Sequence, residues 1–214
     1  MRIYAVADIH GRSHRFDMIR RRVADLNADL LVVAGDVAGW FSANRSMEEL
    51  SRMPVPVLAV RGNSDGRRME QTVFHRKNIS WLHLNRMNVE GLVFSGISGT
   101  FLLPFDSRLC LAEQRMVAGV GNQFTGVSVL VAHPPPRGVL DRVFGRWHAG
   151  SAGLRQIITE NRIPLVICGH LHEMPGVARL EETLVVNCSI GGKGQGALIQ
   201  YEPGMSPQVE MLPV

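Results

Sequence analysis

Asp8 and His10 stand two residues apart at the end of a short apolar run, and His170 and His172 repeat that spacing far downstream. Residues i and i+2 of an extended chain face the same way, so either pair can share one divalent cation. Three further residues close apolar runs between them: Asp36, Asn63 and His133. Asp36, Asn63 and His170 each follow a glycine (Gly35, Gly62, Gly169), the residue that lets backbone crowd against a site. The two oxygens of Asp36 allow one carboxylate to bridge two cations. A mixed oxygen and nitrogen set suits Mn, Fe, Zn, Co or Ni better than Mg or Ca alone. A cation pair about 3.5–4 Å apart generates hydroxide at neutral pH and clamps phosphoryl oxygens during in-line displacement. Each residue alone has a plain alternative: an N-cap or turn for the acids, packing or solvent for the histidines. Their joint position at five strand ends carries the metal reading.

The elements that position them are five runs of Val, Ile, Leu and Ala: Ile3–Ala7, Leu30–Ala34, Val55–Val60, Val127–Ala132 and Leu165–Cys168. Runs of this length and composition are what strands buried on both faces look like. Ligands of open α/β sheets gather outside the carboxyl ends of such strands. Helical spacing of Phe16, Ile19, Val23 and Leu26 predicts a helix over Ser13–Leu26, with Ser13 as its cap. Ser46 and Glu49 have capping-box spacing and predict a second helix starting at Ser46. Further expected elements are a strand over Val89–Ser98, helices over Leu109–Ala118 and Ser151–Asn161, and strands over Leu184–Asn187 and Ala197–Tyr201. Pro134–Pro136 and the glycine-rich stretch Gly191–Gly196 read as loops. This alternation places helices on both faces of a mainly parallel or mixed β core in one domain over residues 1–214.

Bulk composition narrows the class. Of 214 residues, 45% are hydrophobic and 20% charged, which fits a folded chain and not a disordered one. No apolar stretch approaches the roughly 18 residues of a membrane span, and the chain enters its first strand without a signal-peptide pattern. Cys110, Cys168 and Cys188 form no CxxC motif and suit a reducing compartment, so a cytoplasmic location is expected. The net charge is +4, and Lys77 and Lys193 are the only lysines among the 23 basic residues. This balance favours an anionic substrate. The arginines are scattered and Arg20–Arg22 lie on a predicted helix, so nucleic acid is not favoured as a partner. His14, His75 and His83 are assigned to surface or packing.

Asp8-Ile9-His10, Gly35-Asp36, Gly62-Asn63, His133 and Gly169-His170-Leu171-His172, in that order, resemble the calcineurin-like metallophosphoesterases. The resemblance spans residues 8 to 172. It implies an α/β fold, a four-layer α/β/β/α sandwich of two mixed β-sheets flanked by helices. It implies two divalent metal ions, with Mn foremost and Fe, Zn, Ni or Co as alternatives. Asp8, His10 and His172 would hold one metal, and Asn63, His133 and His170 the other, with Asp36 between them. His148-Ala149-Gly150-Ser151 and the following motif look most like the small microbial phosphodiesterase branch, which lacks large cap domains.

The sequence departs from the wider family where many members place a histidine after the asparagine to serve the leaving group. Here Ser64 and Asp65 follow Asn63. A serine is a poor proton donor near neutral pH, so diesters or activated leaving groups are expected as substrates. Ser64 can still bind a phosphate oxygen, and His148 is a candidate donor to a substrate oxygen. Asp65 is a candidate to orient His10 or another ligand, or else a surface turn residue. Arg12, Arg61, Arg67, Arg137 and Arg146 lie in loops of the same face, where an arginine can hold phosphate bidentately. The expected activity is hydrolysis of a small phosphate ester by a metal-bridging hydroxide. Asp36, Asn63, His10 and His148 are the catalytic candidates, and Asn63, Ser64 and His148 the substrate contacts. A non-catalytic metal-binding scaffold of the same fold and a nuclease are the alternatives. The loops Trp40–Arg45, Arg67–Lys77, Thr100–Arg108 and Arg137–His148 would select the substrate.

Overall fold

A computed structural model describes residues 1–39, 43–66, 69, 78–99, 121–143, 145 and 147–213. Strands β1 (Arg2–Val6), β2 (Leu30–Ala34), β3 (Val57–Val60) and β4 (Ile79–Trp81) run parallel in one sheet. Strands β13 (Ala197–Gln200) and β14 (Gln208–Met211) extend it antiparallel beside β1, giving the order β14-β13-β1-β2-β3-β4. In the second sheet β6 (Leu92–Ile97), β7 (Val129–Ala132), β10 (Leu165–Cys168) and β12 (Thr183–Asn187) are parallel. Antiparallel β5 (Arg86–Val89) and β11 (Gly176–Leu180) form its edges, giving β11-β12-β10-β7-β6-β5. A two-stranded hairpin, β8 (Arg142–Val143) and β9 (Trp147–His148), stands apart from both sheets.

The period-2 alternation of strand side chains builds the layers. Ile3, Ala5, Val32, Leu58, Phe94, Val131, Ile167 and Ile199 fill the space between the sheets. On β1 and β2 the alternate residues Tyr4, Val6, Leu31 and Val33 face outward onto Phe16, Ile19, Met47 and Leu50. Those four lie on helices α1 (Ser13–Asp25) and α2 (Ala43–Ser51). On the far side Leu130, Val166 and Val185 pack on Leu154, Ile157 and Ile158 of helix α3 (Ala152–Asn161). The result is the expected four-layer α/β/β/α sandwich of two mixed sheets.

Local start signals were less faithful than periodicity. Ser13 is the first helical residue, not the cap; Arg12 holds the cap position without a side-chain cap bond. Helix α2 begins at Ala43, and Ser46 is buried inside it. Ser151 does cap α3, its hydroxyl oxygen accepting from Leu154 N at 2.9 Å. Val89–Ser98 is not one strand. Glu90 (φ 50°) and Gly91 (φ 84°) turn the chain between β5 and β6. Positive φ at both central residues matches the twist of a two-residue hairpin. The runs starting at Val55 and Val127 become strands only from Val57 and Val129. The helix expected over Leu109–Ala118 lies outside the described residues, as do Cys110, His75, Arg67, Arg146 and most of the variable loops.

Candidate metal centre

The loops after β1 and β2 run side by side as a short ladder. Asp8 N donates to Gly35 O, His10 N to Asp36 O and Gly11 N to Val37 O, at 2.9–3.0 Å. The chain does not stay extended here. Asp8 (φ 65°), His10 (φ 54°), Asp36 (φ 52°) and His170 (φ 71°) all adopt left-handed backbone. Asp and His tolerate this region better than most residues, and each such position costs roughly 1–3 kcal/mol. The expectation that Asp8 and His10 converge through extended alternation is therefore corrected. Left-handed turns at the strand ends aim these side chains.

The turns bring all seven candidate ligands together. Asp8, His10 and His172 offer atoms within 4.8 Å of one another, and so do Asp8, Asp36 and His133. His10 Nε2 and His172 Nε2 are 3.3 Å apart. His172 Nε2 lies 3.4 Å from Asp8 Oδ1. Asp36 Oδ2 faces both groups, 3.8 Å from His10 Nδ1 and 3.5 Å from His133 Nε2. Asn63 Oδ1 lies 3.0 Å from His133 Nε2 and 3.1 Å from His170 Nδ1. His133 Nδ1 is 2.9 Å from Ala34 O, which fixes it as the donor and turns Nε2 toward the cluster.

The donor set fits divalent cations on the structure's own terms. Carboxylate, amide and imidazole atoms, all of them metal-ligand types, face one another across the cluster. Asp8 Oδ1 is buried yet accepts no hydrogen bond among the described residues. A buried carboxylate oxygen left without a partner is costly, and a cation is the partner that removes the cost.

Surrounding groups hold the ligands in place. Asp8 Oδ2 accepts from His170 N at 3.1 Å, linking the two sheets. Asp36 Oδ1 accepts from Ser64 N at 2.8 Å. Asp65 is buried and neither a surface turn residue nor a partner of His10. Its carboxylate accepts from Val37 N, Ala38 N and Gly62 N at 2.8–3.1 Å, clipping the Asp36 loop to the Asn63 loop. A Cβ on Gly62 would fall on the Asp36 carboxylate, and one on Gly35 would lie 2.5 Å from His133 Nδ1. Both loops therefore need glycine for close approach.

Two supports had no role assigned from the sequence. Arg15 is buried and donates to Asp8 O at 2.6 Å and to Gly191 O at 2.8 Å, tying the first loop to the backbone beneath the His172 ring. Its place four residues before Ile19, on the apolar stripe of α1, was the available signal. Asn187 is fully buried and donates to Leu171 O at 2.9 Å between His170 and His172. It closes the apolar run of β12, as the candidate ligands close theirs.

Other candidates stand differently. The Ser64 hydroxyl donates to Ala38 O at 3.1 Å, so its proton is committed within the loop and not offered to a phosphate. His148 lies on β9 against Asp141. Arg12 and Arg137 are exposed and Arg61 is half-buried. His14 is exposed, and His83 Nδ1 accepts from Ser98 N at 3.0 Å, in keeping with surface and packing roles. Cys168 and Cys188 are buried free thiols.

Electrostatics separates the histidines. Burial pushes His10 down, and burial with the His133 charge pushes His170 down to about 4, so both offer neutral nitrogen at neutral pH. His133 is raised despite burial because Asp36 and Asp8 favour its charged form. His172 is raised mainly by its contact with Asp8. Burial would raise Asp8 and Asp36, but His172 and His133 hold Asp8 low, and His133 and Ser64 hold Asp36 low. A cation must displace the protons of His133 and His172, whose raised values place that competition above the ordinary histidine range. Metal affinity should therefore fall as pH drops through the raised range of these two histidines, with more protons released on binding at the lower pH. Calorimetry in two buffers of different ionisation enthalpy checks this; pH-independent affinity would contradict it.

A sandwich with candidate metal ligands at the carboxyl ends of strands in both sheets is the architecture of a metal-site hydrolase. Residues 1–174 match the calcineurin-like phosphoesterases, and the chain belongs to that family. Uncharacterized protein MJ1162 of Methanocaldococcus jannaschii is 28% identical over 200 residues, covering 88% of each chain. The TT1561 protein of Thermus thermophilus shares the fold with TM-score 0.73 at 13% identity, covering 98% of each chain. A dimetal phosphatase from Danio rerio does so with TM-score 0.59 at 11% identity, again over 98% of each. Among the described residues no helix is long and apolar enough to cross a membrane.

Proposed function

We propose that this chain is a dinuclear metal-dependent phosphodiesterase acting on a small phosphate ester. Convergence of Asp8, His10 and His172 on one side of Asp36, and of His133, Asn63 and His170 on the other, carries the reading. Asp8, His10 and His172 would hold one ion and Asn63, His133 and His170 the second, with Asp36 between. Two such ions, Mn foremost, would supply a hydroxide nucleophile and offset charge on the phosphoryl oxygens when bound. The ligands fix that geometry in advance, so little reorganisation is needed during reaction. Strands β13 and β14 complete the first sheet beside β1, which supports one domain across residues 1–214. The buried thiols suit the reducing cytoplasm.

Preference for diesters follows from Ser64. Its proton goes to Ala38 O, so the position after Asn63 offers no acid to a poor leaving group. The test is metal-stripped protein refilled with Mn²⁺ and assayed on bis-p-nitrophenyl phosphate beside an unactivated alkyl monophosphate. Mn²⁺-dependent turnover of the diester, faster than of the monoester, is expected. Faster monoester turnover would refute the preference. No metal-dependent turnover of either would favour the non-catalytic scaffold.

A further inference from the structure

One imidazole on the strand-end face stands outside the metal-ligand set and is held by a built partner. His148 Nδ1 lies 2.7 Å from Asp141 Oδ1. The Asp141 side chain is 1% exposed, and that of His148 is 38% exposed. Asp141 is itself fixed, since its Oδ2 accepts from Gly138 N at 2.9 Å and from Gly150 N at 3.2 Å. Its backbone oxygen accepts from Ala149 N at 2.9 Å. Gly150 has no room for a side chain; an added Cβ would lie 2.8 Å from both Asp141 Oδ2 and Pro136 O. Among the described residues Asp141 is the one hydrogen-bond partner of the His148 ring. A carboxylate on Nδ1–H sets the tautomer, orients the ring and leaves Nε2 free to exchange a proton.

The loop that carries the pair is stitched to the strand end that carries His133. Ser151 N donates to Pro135 O at 2.9 Å, and Arg137 N donates to Ser151 O at 3.0 Å. Pro135 follows His133 closely, and His148 precedes Ser151 by three residues, which span at most about 10 Å of extended chain. On the other flank Leu140 Cδ2 comes within 3.8 Å of where a Gly176 Cβ would lie, just past His172. The described parts of this loop thus touch the chain that follows His133 and the chain that follows His172.

We propose that Asp141 positions His148 to protonate the leaving group, the task that Ser64 cannot perform; this rests on the phosphodiesterase reading. As the hydroxide oxygen bonds to phosphorus, the P–O bond to the leaving group breaks and its electron pair stays on the leaving oxygen. The Nε2 proton of the His148 imidazolium passes to that oxygen. The ring is left neutral with Nδ1–H still on Asp141, and it regains a proton from the next water to enter as hydroxide. Asp141 touches no reacting atom and is a positioning residue.

The experiment compares the Mn²⁺-loaded wild type with His148→Ala and Asp141→Asn on aryl phosphodiesters of graded leaving-group acidity. His148→Ala should lower kcat by about 10²–10⁴-fold for the least acidic phenol, and progressively less as acidity rises. Asp141→Asn should show the same trend with a smaller loss. In parallel, ¹⁵N NMR of the intact chain should find the neutral His148 ring protonated at Nδ1, with a shift toward the Nε2–H form in Asp141→Asn. An equal loss across the series, or an Nε2–H ring in the wild type, would overturn the assignment while leaving the phosphodiesterase reading intact. Absence of metal-dependent turnover in the wild type would overturn both.

Discussion

Replacing Asp36 with Asn is expected to lower metal-dependent diester hydrolysis by at least about 10²–10³-fold, the scale of losing one preorganised electrostatic contact. Asp36 Oδ2 faces both ligand groups, at 3.8 Å from His10 and 3.5 Å from His133. Asparagine keeps an oxygen for Ser64 N but removes the charge and can present an NH₂ group where a cation needs a lone pair. Folding should survive with a modest loss, because asparagine keeps the shape and the acceptor for Ser64 N while giving up the charge contact with His133. The metal-stripped variant should melt below the stripped wild type, since a carboxylate held low in the fold is a charge that stabilises it at neutral pH. Steady-state kinetics with a thermal melt check both halves. Undiminished turnover would remove Asp36 from the centre.

Replacing Asp65 with Ala should do the reverse and strike stability first. Three backbone N–H groups, of Val37, Ala38 and Gly62, depend on this one carboxylate. A buried donor without an acceptor costs about 1–3 kcal/mol, so the loss should exceed about 3 kcal/mol if no water enters. The Asp36 and Asn63 loops would then lose their common clip, and metal affinity should fall about 10–100-fold, as for a residue that orients ligands. Asp65→Asn, which keeps one good acceptor oxygen, should fall between. Denaturant unfolding and metal titration of the three proteins measure this. Wild-type stability in Asp65→Ala would show that the loops hold themselves.

What the sequence made legible follows from burial. Runs such as Leu30–Ala34 and Leu165–Cys168 are apolar on both faces because they lie between an outer helix layer and the other sheet. That environment forces their composition, so the central strands and their polar ends stood out. The edge strands Arg86–Val89, Gly176–Leu180 and Gln208–Met211 did not, because half their residues face solvent and no apolar run marks them. The seven candidate ligands were visible as polar residues that stop a buried strand. The left-handed turns that aim Asp8, His10, Asp36 and His170 were not, since Asp and His are also ordinary in extended backbone. Arg15 and Asp141 were invisible for a further reason. Their roles depend on partners at Gly191 and His148 that only the fold brings near.

The most direct measurement is calorimetric titration of Mn²⁺ into metal-stripped protein, with diester turnover followed in the same samples. The account predicts two ions bound per chain, and turnover that rises with occupancy of the second. Binding of a single ion that already gives full turnover would contradict it, as would full occupancy of both sites with no hydrolysis.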